Sequence, residues 1–347
     1  MKPQNKQKSD GGQKPYFARV GAFAVIALAI LAVASTARPS ASSPTDSPAV
    51  RTAQQQFNSG NYSGAIQTLT SAQDPSNPAV SYWLGRSYYE LHDVDNAVEN
   101  LEKAVSLDPK NSAYHQWLGQ AYGDKADREH SFSVAKKVKK EFQQAVELDP
   151  SNIPARRDLE EYCLDAPWIV GGNKDEALEQ VNAIAMQDPV QGHLARGLYD
   201  LEALKKPAQA EDEYHQALAA NPKNLDVYFD VAGFFASQNK PADLNSTIQA
   251  ASQVNPSDPR LAYFRGVADV LGNTDLDAAE QNLKSYLART PERSDWPSHA
   301  SARLWLGKLY EAQNKTSDAA EQYRAALQID PGLKEAKTRL DKLEKSQ

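Results

Sequence analysis

Small and large apolar residues recur along this chain at fixed distances from a ladder of eight prolines. The prolines are Pro75, Pro109, Pro150, Pro189, Pro222, Pro256, Pro291 and Pro331. They stand 33 to 41 residues apart, and all but one follow Asp or Asn. Of the last seven, five have Ala five positions before them, five have Ala twelve positions before them, and all seven have a larger apolar residue eight positions before. These offsets mark one face of a helix that ends at the Pro, so the pattern predicts stacked helix-turn-helix units.

A second helix precedes each of these helices and carries its own motif. Three copies read Leu-Gly-x-x-Tyr, at Leu84–Tyr88, Leu118–Tyr122 and Leu306–Tyr310. Together with the closing Pro, this motif resembles the tetratricopeptide repeat (TPR) family. The unit at 153–189 is the weakest, with Glu160 in the Gly position and Cys163 near the aromatic position. The resemblance implies an all-α solenoid of about eight TPR helix-turn-helix repeats, closed by a C-terminal capping helix.

The composition divides the chain into five predicted segments. They are a basic cytoplasmic tail (1–19), a transmembrane anchor or signal segment (20–37), a flexible linker (38–47), the TPR solenoid (48–332) and the capping helix (333–347). The linker is rich in Pro, Ser and Thr and has no large apolar residue, which is typical of a flexible tether. The last segment combines one apolar stripe with many charges, as expected of a helix that covers the end of an array.

The apolar run Val20–Ser35 determines where the repeats would act. It has sixteen residues without a charge, and five basic residues precede it. As an uncleaved anchor, it would place the protein in a bacterial inner membrane, single-pass with the repeats on the periplasmic side. As a signal cleaved after Ala32-x-Ala34 or Ser35-x-Ala37, it would leave the repeats exported and soluble. The anchor is our prediction and the cleaved signal is the alternative.

Charge and cysteine content argue against several functional classes. Residues 39–347 carry a net charge of −12. Proteins that bind nucleic acids usually present a basic surface, so this charge argues against a nucleic-acid partner. The single cysteine, Cys163, cannot form an internal disulfide and is predicted to be a buried apolar side chain. The six histidines form no His-x-x-x-His pair, and no Gly-x-Ser-x-Gly motif appears. We therefore expect no catalytic residue, no metal and no cofactor.

The resemblance also implies where a partner would bind. In the TPR family the first helix of each repeat lines a concave groove. The groove residues implied here are Tyr82, Arg86, Tyr89, Gln116, Gln120, Arg157 and Phe229. Arginines, amides and aromatic rings suit an extended peptide, since Arg can bind a terminal carboxylate through two hydrogen bonds. The Lys/Asn carboxylate clamp of the chaperone-binding TPR proteins is absent, so their partner is not inferred.

Three steps of the proline ladder are long, and each locates an insert. Residues 123–141 contain the basic run Lys136–Lys140 and are predicted to extend the second helix of repeat three. Residues 165–173 widen a turn and carry the apolar run Trp168–Val170, which either plugs the stack or docks a partner; we predict a plug. Residues 292–300 lengthen the link between repeats seven and eight and are expected to bend the superhelix.

These features predict a non-enzymatic, membrane-tethered TPR scaffold that binds a protein or peptide partner in its concave groove. The third and fourth repeats also resemble bacterial envelope TPR proteins of unassigned activity. The alternative is a substrate-presenting subunit of an envelope biogenesis machine, for example one for cytochrome c maturation. The two hypotheses differ in whether the groove recognises one fixed C-terminal sequence.

Overall fold

Seventeen α-helices make up the part of the chain that the structure describes. The structure is a computed structural model, and it describes residues 47–345. The helices are α1 (Pro48–Asn58), α2 (Tyr62–Ser71), α3 (Pro78–Glu90), α4 (Val94–Leu107), α5 (Ser112–Glu129), α6 (Phe132–Leu148), α7 (Ile153–Asp165), α8 (Lys174–Gln187), α9 (Pro189–Glu202), α10 (Pro207–Ala219), α11 (Leu225–Ser237), α12 (Pro241–Val254), α13 (Arg260–Gly272), α14 (Leu276–Arg289), α15 (His299–Ala312), α16 (Thr316–Ile329) and α17 (Lys334–Lys345). The first sixteen form eight consecutive pairs, one for each predicted repeat.

A small residue on the first helix allows the two helices of a pair to approach closely. A Cβ atom added to Gly119 of α5 would lie 2.5 Å from the ring of Phe142 in α6. A Cβ atom added to Gly307 of α15 would lie 2.3 Å from the ring of Tyr323 in α16. Both distances are far below an ordinary carbon–carbon contact, so these positions require glycine. The pairing of small and large residues that the sequence predicted is therefore present.

Repeat four, formed by α7 and α8, departs from this rule because Glu160 occupies the glycine position. Glu160 is fully buried, and neither of its carboxyl oxygens has a hydrogen-bond partner among the described residues. Burial raises the pKa of Glu160 well above its ordinary value of 4.5, against the attraction of Arg157. Cys163 in the same helix is also buried, and burial raises the pKa of its thiol to about 12. Cys163 is thus an inert core residue, as predicted.

The first helices of the pairs line the inside of a curved array. Each of them, from α1 to α13, contacts the first helix of the next pair as well as the second helix of its own pair. Arg157 of α7 even reaches Asp230 of α11, two repeats away, with 3.1 Å between Nη1 and Oδ2. A contact between alternate repeats requires the array to curve toward this side. The first helices therefore form the concave surface.

Helix α17 covers the end of the array. Ala336 is fully buried against the last repeat, and Leu340 packs against the same core. Two ion pairs hold the polar edge of the helix, Lys308–Glu335 at 2.7 Å and Arg339–Glu311 at 2.6 Å. One apolar stripe faces the array and the charged face is turned away, as expected of a capping helix.

The first insert lengthens both helices of repeat three. Helix α5 has 18 residues and α6 has 17, whereas α3 and α4 have 13 and 14. The sequence prediction assigned the added residues to the second helix. The larger share instead continues α5 as far as Glu129, because no helix-stopping residue follows Gly123 until the left-handed His130.

The second insert forms a 3₁₀ turn, Trp168–Val170. Val170 is buried, and its carbonyl accepts a hydrogen bond from the Tyr162 hydroxyl at 2.8 Å. Trp168 and Ile169 are 84% and 52% exposed. The predicted plug is therefore formed by Val170 alone, and the two larger apolar side chains of the turn face solvent.

The link between α14 and α15, residues 290–298, crosses back to the first repeats. The Glu90 carboxylate accepts hydrogen bonds from the backbone N–H and the hydroxyl of Ser294, both at 2.8 Å. The Tyr62 hydroxyl donates to the backbone carbonyl of Glu292 at 3.1 Å. The link therefore joins the seventh repeat to the first two, which the sequence did not predict.

Gly60, in the turn between α1 and α2, lies directly against Pro291 of this link. Its φ of +77° is a conformation that residues with a Cβ rarely adopt. A Cβ atom added there would also lie 2.5 Å from the side chain of Pro291. Both the backbone conformation and the close approach of Pro291 therefore require glycine.

Removal of the Glu90 carboxylate is expected to release the link. In the Glu90→Leu variant the side chain is similar in size but apolar, so it offers no acceptor to Ser294. Hydrogen bonds to charged groups contribute about 1.5–3 kcal/mol, so local opening of the link should increase roughly tenfold or more. Limited trypsin digestion with mass spectrometry should then show faster cleavage after Arg293. Glu99→Leu, at an exposed position of α4, is the control, and equal cleavage in both variants would contradict the assignment.

The N-terminal predictions concern residues that the structure does not describe. The basic tail (1–19), the anchor or signal segment (20–37) and all but the last residue of the flexible linker (38–47) lie outside residues 47–345. Within residues 47–345, no helix combines the length and the apolar character needed to cross a membrane. The N-terminal segments stay predictions.

Candidate peptide-binding groove

The seven predicted groove residues all lie on first helices of the array. Tyr82, Arg86 and Tyr89 belong to α3, Gln116 and Gln120 to α5, Arg157 to α7 and Phe229 to α11. They form a band along the concave surface of repeats two to six, and we call this surface the groove. Each side chain of the band contacts residues of neighbouring helices, which determines what it can offer to a partner.

Arg86 lies among aromatic rings at one end of the groove. Its guanidinium carbon is 4.0 Å from the ring centre of Trp117 and 4.5 Å from that of Phe57. Nη1 donates to the Tyr82 hydroxyl at 3.5 Å, and Nε is buried without a partner. The rings of Tyr89 and Trp117 are nearly perpendicular, with 5.8 Å between their centres. Cation–π contacts therefore fix the position of Arg86 without neutralising its charge.

Gln116 and Gln120 are held by one carboxylate. Their side-chain amides both donate to Asp158 Oδ2, at 2.8 Å and 3.0 Å. All three side chains are buried. Burial raises the pKa of Asp158 to about 6, although the two amide hydrogen bonds favour its ionised form. The amide nitrogens are thus already occupied, and Gln116 Oε1 accepts a hydrogen bond from Asn152 Nδ2 at 3.3 Å. Gln120 Oε1 is left without a partner in the region that the structure describes.

Arg157 is neutralised inside the protein. Its Nη1 lies 3.1 Å from Asp230 Oδ2 and 3.5 Å from the side-chain oxygen of Gln191, and its Nη2 lies 4.0 Å from Glu161. Burial raises the pKa of Glu161 to about 8 and that of Asp230 to about 6, in both cases against the attraction of Arg157. A peptide carboxylate would have to compete with these two acidic residues for the guanidinium group.

Phe229 marks the other end of the groove. Its ring stacks on Phe264 with 5.5 Å between ring centres, and the Arg260 guanidinium lies 4.2 Å from its ring centre. Arg260 is itself paired with Asp226 and Asp258, at 2.6 Å and 2.9 Å. This end of the groove therefore offers stacked aromatic rings next to an arginine whose charge is already paired.

Two glycines show where the groove is open. A Cβ atom added to Gly123 of α5 or to Gly233 of α11 would meet no atom within 4 Å. Gly233 occupies a groove position of repeat six, and Gly123 occupies one of repeat three. Space for an occupant is therefore present at both places.

Four acidic residues of the groove are not among those predicted from the sequence: Asp124, Asp127, Asp158 and Asp230. Asp124 follows Gly123 in a groove position of repeat three, so a complete listing of the TPR positions would have found it. Asp127 stands in the added turn of α5 and had no signal because the insert was assigned to the second helix. Asp158 and Asp230 are neighbours in sequence of predicted residues, and only the curvature of the array brings them into the groove.

Two family models described as tetratricopeptide repeat match the chain, at residues 56–121 and 269–334. With the eight helix pairs and their glycine contacts, these matches decide the family. The chain is a tetratricopeptide repeat protein. A comparison with curated proteins gave no match.

Several solved structures resemble this TPR protein. A thermophilic TPR protein from Thermus thermophilus is 22% identical to this chain, with a TM-score of 0.44. The match covers 54% of this chain and 97% of the Thermus chain. A tetratricopeptide repeat protein from Parabacteroides merdae is 16% identical, with a TM-score of 0.47, and the match covers 76% of this chain and 97% of the Parabacteroides chain. A chain of the APC/C hetero-tetramer Cut9–Hcn1 is 15% identical, with a TM-score of 0.48, and the match covers 85% of this chain and 55% of the other chain. These similarities identify no partner for this chain.

Membership of the family supports a general role. TPR repeats are protein-binding units, and the proteins built from them are generally non-enzymatic scaffolds with extended concave binding surfaces. A protein-binding scaffold is therefore the role that the family supports for this TPR protein.

Proposed function

We propose that this TPR protein is a membrane-tethered scaffold that holds an extended segment of a protein partner in its groove. The observation that carries the proposal is the continuous inner surface from Tyr82 to Phe229, which is open over Gly123 and Gly233. Aromatic rings at both ends and hydrogen-bonding groups between them suit an extended chain.

The proposed tether is the apolar run Val20–Ser35. The five basic residues before it favour a cytoplasmic N-terminus, which would place the repeats on the periplasmic side of a bacterial inner membrane. Membrane fractionation of the full chain tests the tether. Recovery of a mature protein that begins near Arg38 in the soluble fraction would replace the anchor with a cleaved signal.

A tryptophan at position 233 is expected to block the groove without damaging the fold. The Gly233→Trp side chain would enter open space, and Gly is itself a poor helix residue by about 0.8–1 kcal/mol relative to Ala. Binding to an array of acetylated and amidated nine-residue peptides should weaken roughly tenfold or more, equivalent to about 1.4 kcal/mol. Gly123→Trp should act in the same way.

The matched control is Gln249→Trp, which adds the same side chain at an exposed position of α12, on the outside of the array. It should bind the peptides as the wild type does. Thermal unfolding of all three variants verifies that the fold is retained. Unchanged peptide binding by both groove variants would refute the proposed site.

A further inference from the structure

One stretch of the groove contains two buried hydrogen-bond acceptors without a donor among the residues that the structure describes, Gln120 Oε1 and Asp127 Oδ1. Gln120 is only 6% exposed, and although its amide nitrogen donates to Asp158, its Oε1 has no partner. One helical turn further along α5, Asp124 accepts a hydrogen bond from the Tyr89 hydroxyl. Another turn on, Oδ1 of Asp127 is buried without a partner. We call Gln120, Asp124, Asp127 and Asp158 the acceptor cluster.

At its α5 side the acceptor cluster has a histidine, His92, as a nearby positive group, and the attraction of His92 opposes the effect of burial on the pKa of Asp124. No lysine or arginine of residues 47–345 forms an ion pair with Asp124 or Asp127. Burial raises the pKa of Asp124 to about 6 and that of Asp127 to about 7, and the repulsion from Asp124 adds to the effect on Asp127. Both shifts show that ionised carboxylates are poorly compensated here, so a positive group placed among them would be attracted.

The shape of the site favours an organic cation. In the described part of the chain, no group of His, Cys, Asp and Glu side chains is arranged to hold a metal ion. The groove is open over Gly123, which directly precedes Asp124, so a long side chain can approach from the inside of the array. Ammonium and guanidinium groups carry three and five N–H donors and no acceptor, which complements a set of acceptors.

We infer that the acceptor cluster binds a lysine or arginine side chain of the peptide held in the groove. This inference rests on the proposed function and adds the chemical class of the partner, an extended basic segment. It removes Arg157 as a binder of a terminal carboxylate, because Asp230 and Glu161 already lie against its guanidinium group. Arg86, whose charge is not neutralised, lies in the α3 part of the groove, outside the acceptor cluster. The unpaired groups of the groove are mostly acceptors, and an acidic partner would leave them without donors.

Matched peptide pairs test the inference. The full-length protein is incubated with an array of acetylated, amidated nine-residue peptides, in which each lysine peptide has a twin with norleucine in place of the lysine. Norleucine keeps the four-carbon stem of the lysine side chain and removes the charged amino group. The wild type should bind the lysine member roughly tenfold to a hundredfold more tightly, since hydrogen bonds to a buried charged group are involved.

The Asp124→Asn variant should lose most of this preference. It converts a half-buried carboxyl group into a neutral amide of the same shape that can still accept from the Tyr89 hydroxyl, so we expect the fold to be retained. Asp212→Asn, at an exposed position of α10, makes the same change in net charge outside the groove and should keep the full preference. This control separates the acceptor cluster from a general attraction of an acidic protein for basic peptides.

The outcomes are distinguishable. Equal binding of lysine and norleucine twins, or an equal effect of Asp124→Asn and Asp212→Asn, would overturn the inference and leave the proposed function standing. Absence of binding to every peptide, basic or not, would overturn both. A preference that Asp124→Asn removes and Asp212→Asn retains supports both.

Discussion

The Arg157→Met variant is expected to lose about 2–4 kcal/mol of unfolding free energy at pH 8, because removing one partner of a buried ion pair leaves the other charge buried alone. Arg157 faces Asp230 at 3.1 Å and Glu161 at 4.0 Å, and the side chains of both acids are less than a third exposed. Methionine keeps much of the length of the arginine side chain and removes its charge. Urea unfolding followed by circular dichroism measures the loss.

The pH dependence separates the charge effect from packing. Without Arg157, the pKa values of Asp230 and Glu161 should rise further, because its attraction opposes the effect of burial. A carboxyl group whose pKa is raised on folding destabilises the fold increasingly as the pH rises above its unfolded pKa. The loss at pH 8 should therefore exceed the loss at pH 5, and equal losses would indicate a packing defect instead.

Arg324→Met is the control for this variant. Arg324 pairs with Glu344 at 2.8 Å, but both side chains are about half exposed, so its removal should cost less than about 1 kcal/mol. A similar small cost for Arg157→Met would show that the buried pair does not stabilise the array. Because Arg157 is structural by this argument, a binding defect in an Arg157 variant does not locate the peptide, and Gly233→Trp is the better probe of the groove.

The Glu160→Met variant is expected to gain about 1–3 kcal/mol of unfolding free energy at pH 8, since an apolar side chain of similar volume replaces a buried carboxyl group without hydrogen bonds. Glu160 is fully buried, and its pKa is raised above 4.5 by burial. The carboxyl group therefore keeps its proton to a higher pH in the folded protein than in the unfolded chain. The wild type should lose stability as the pH rises from about 5 to 8, and the gain in the variant should grow over the same range.

Glu147→Met at an exposed position of α6 is the matched control for Glu160→Met and should change stability little. The same urea series at pH 5 and pH 8 serves both variants. A loss of stability in Glu160→Met at pH 8 would mean that the carboxyl group has a stabilising role that its missing hydrogen bonds do not reveal.

The helix pairs could be predicted from the sequence because each depends on residues a few positions apart. The spacing of Ala97, Leu101 and Ala104 before Pro109 specifies the buried face of α4, and all three side chains are fully buried. The same local reasoning identified α17 and the turn that contains Trp168. It also placed the seven groove residues on first helices, where the structure has them.

The partners of the groove residues could not be predicted in this way. Arg157 and Asp230 are 73 positions apart, and Ser294 and Glu90 are 204 apart. Their proximity depends on small rotations between successive repeats, which accumulate along the array and are not encoded in the motif of any one repeat. The sequence therefore indicated which side chains face inward and left open whether they are free or already paired.

The contact of residues 290–298 with Gly60, Tyr62 and Glu90 has a consequence for how the chain can be shortened. In an open solenoid each repeat interacts only with its neighbours. The stability of the array is then close to the sum of the repeat stabilities and the interfaces between neighbours, so removing a terminal repeat has only local effects. Here the seventh repeat is also a neighbour of the first two. Deletion of α1 and α2 would remove support from a segment more than 200 positions away, so fraying of the first repeat should also destabilise the junction of repeats seven and eight. We therefore expect repeats one to seven to unfold as a closed loop.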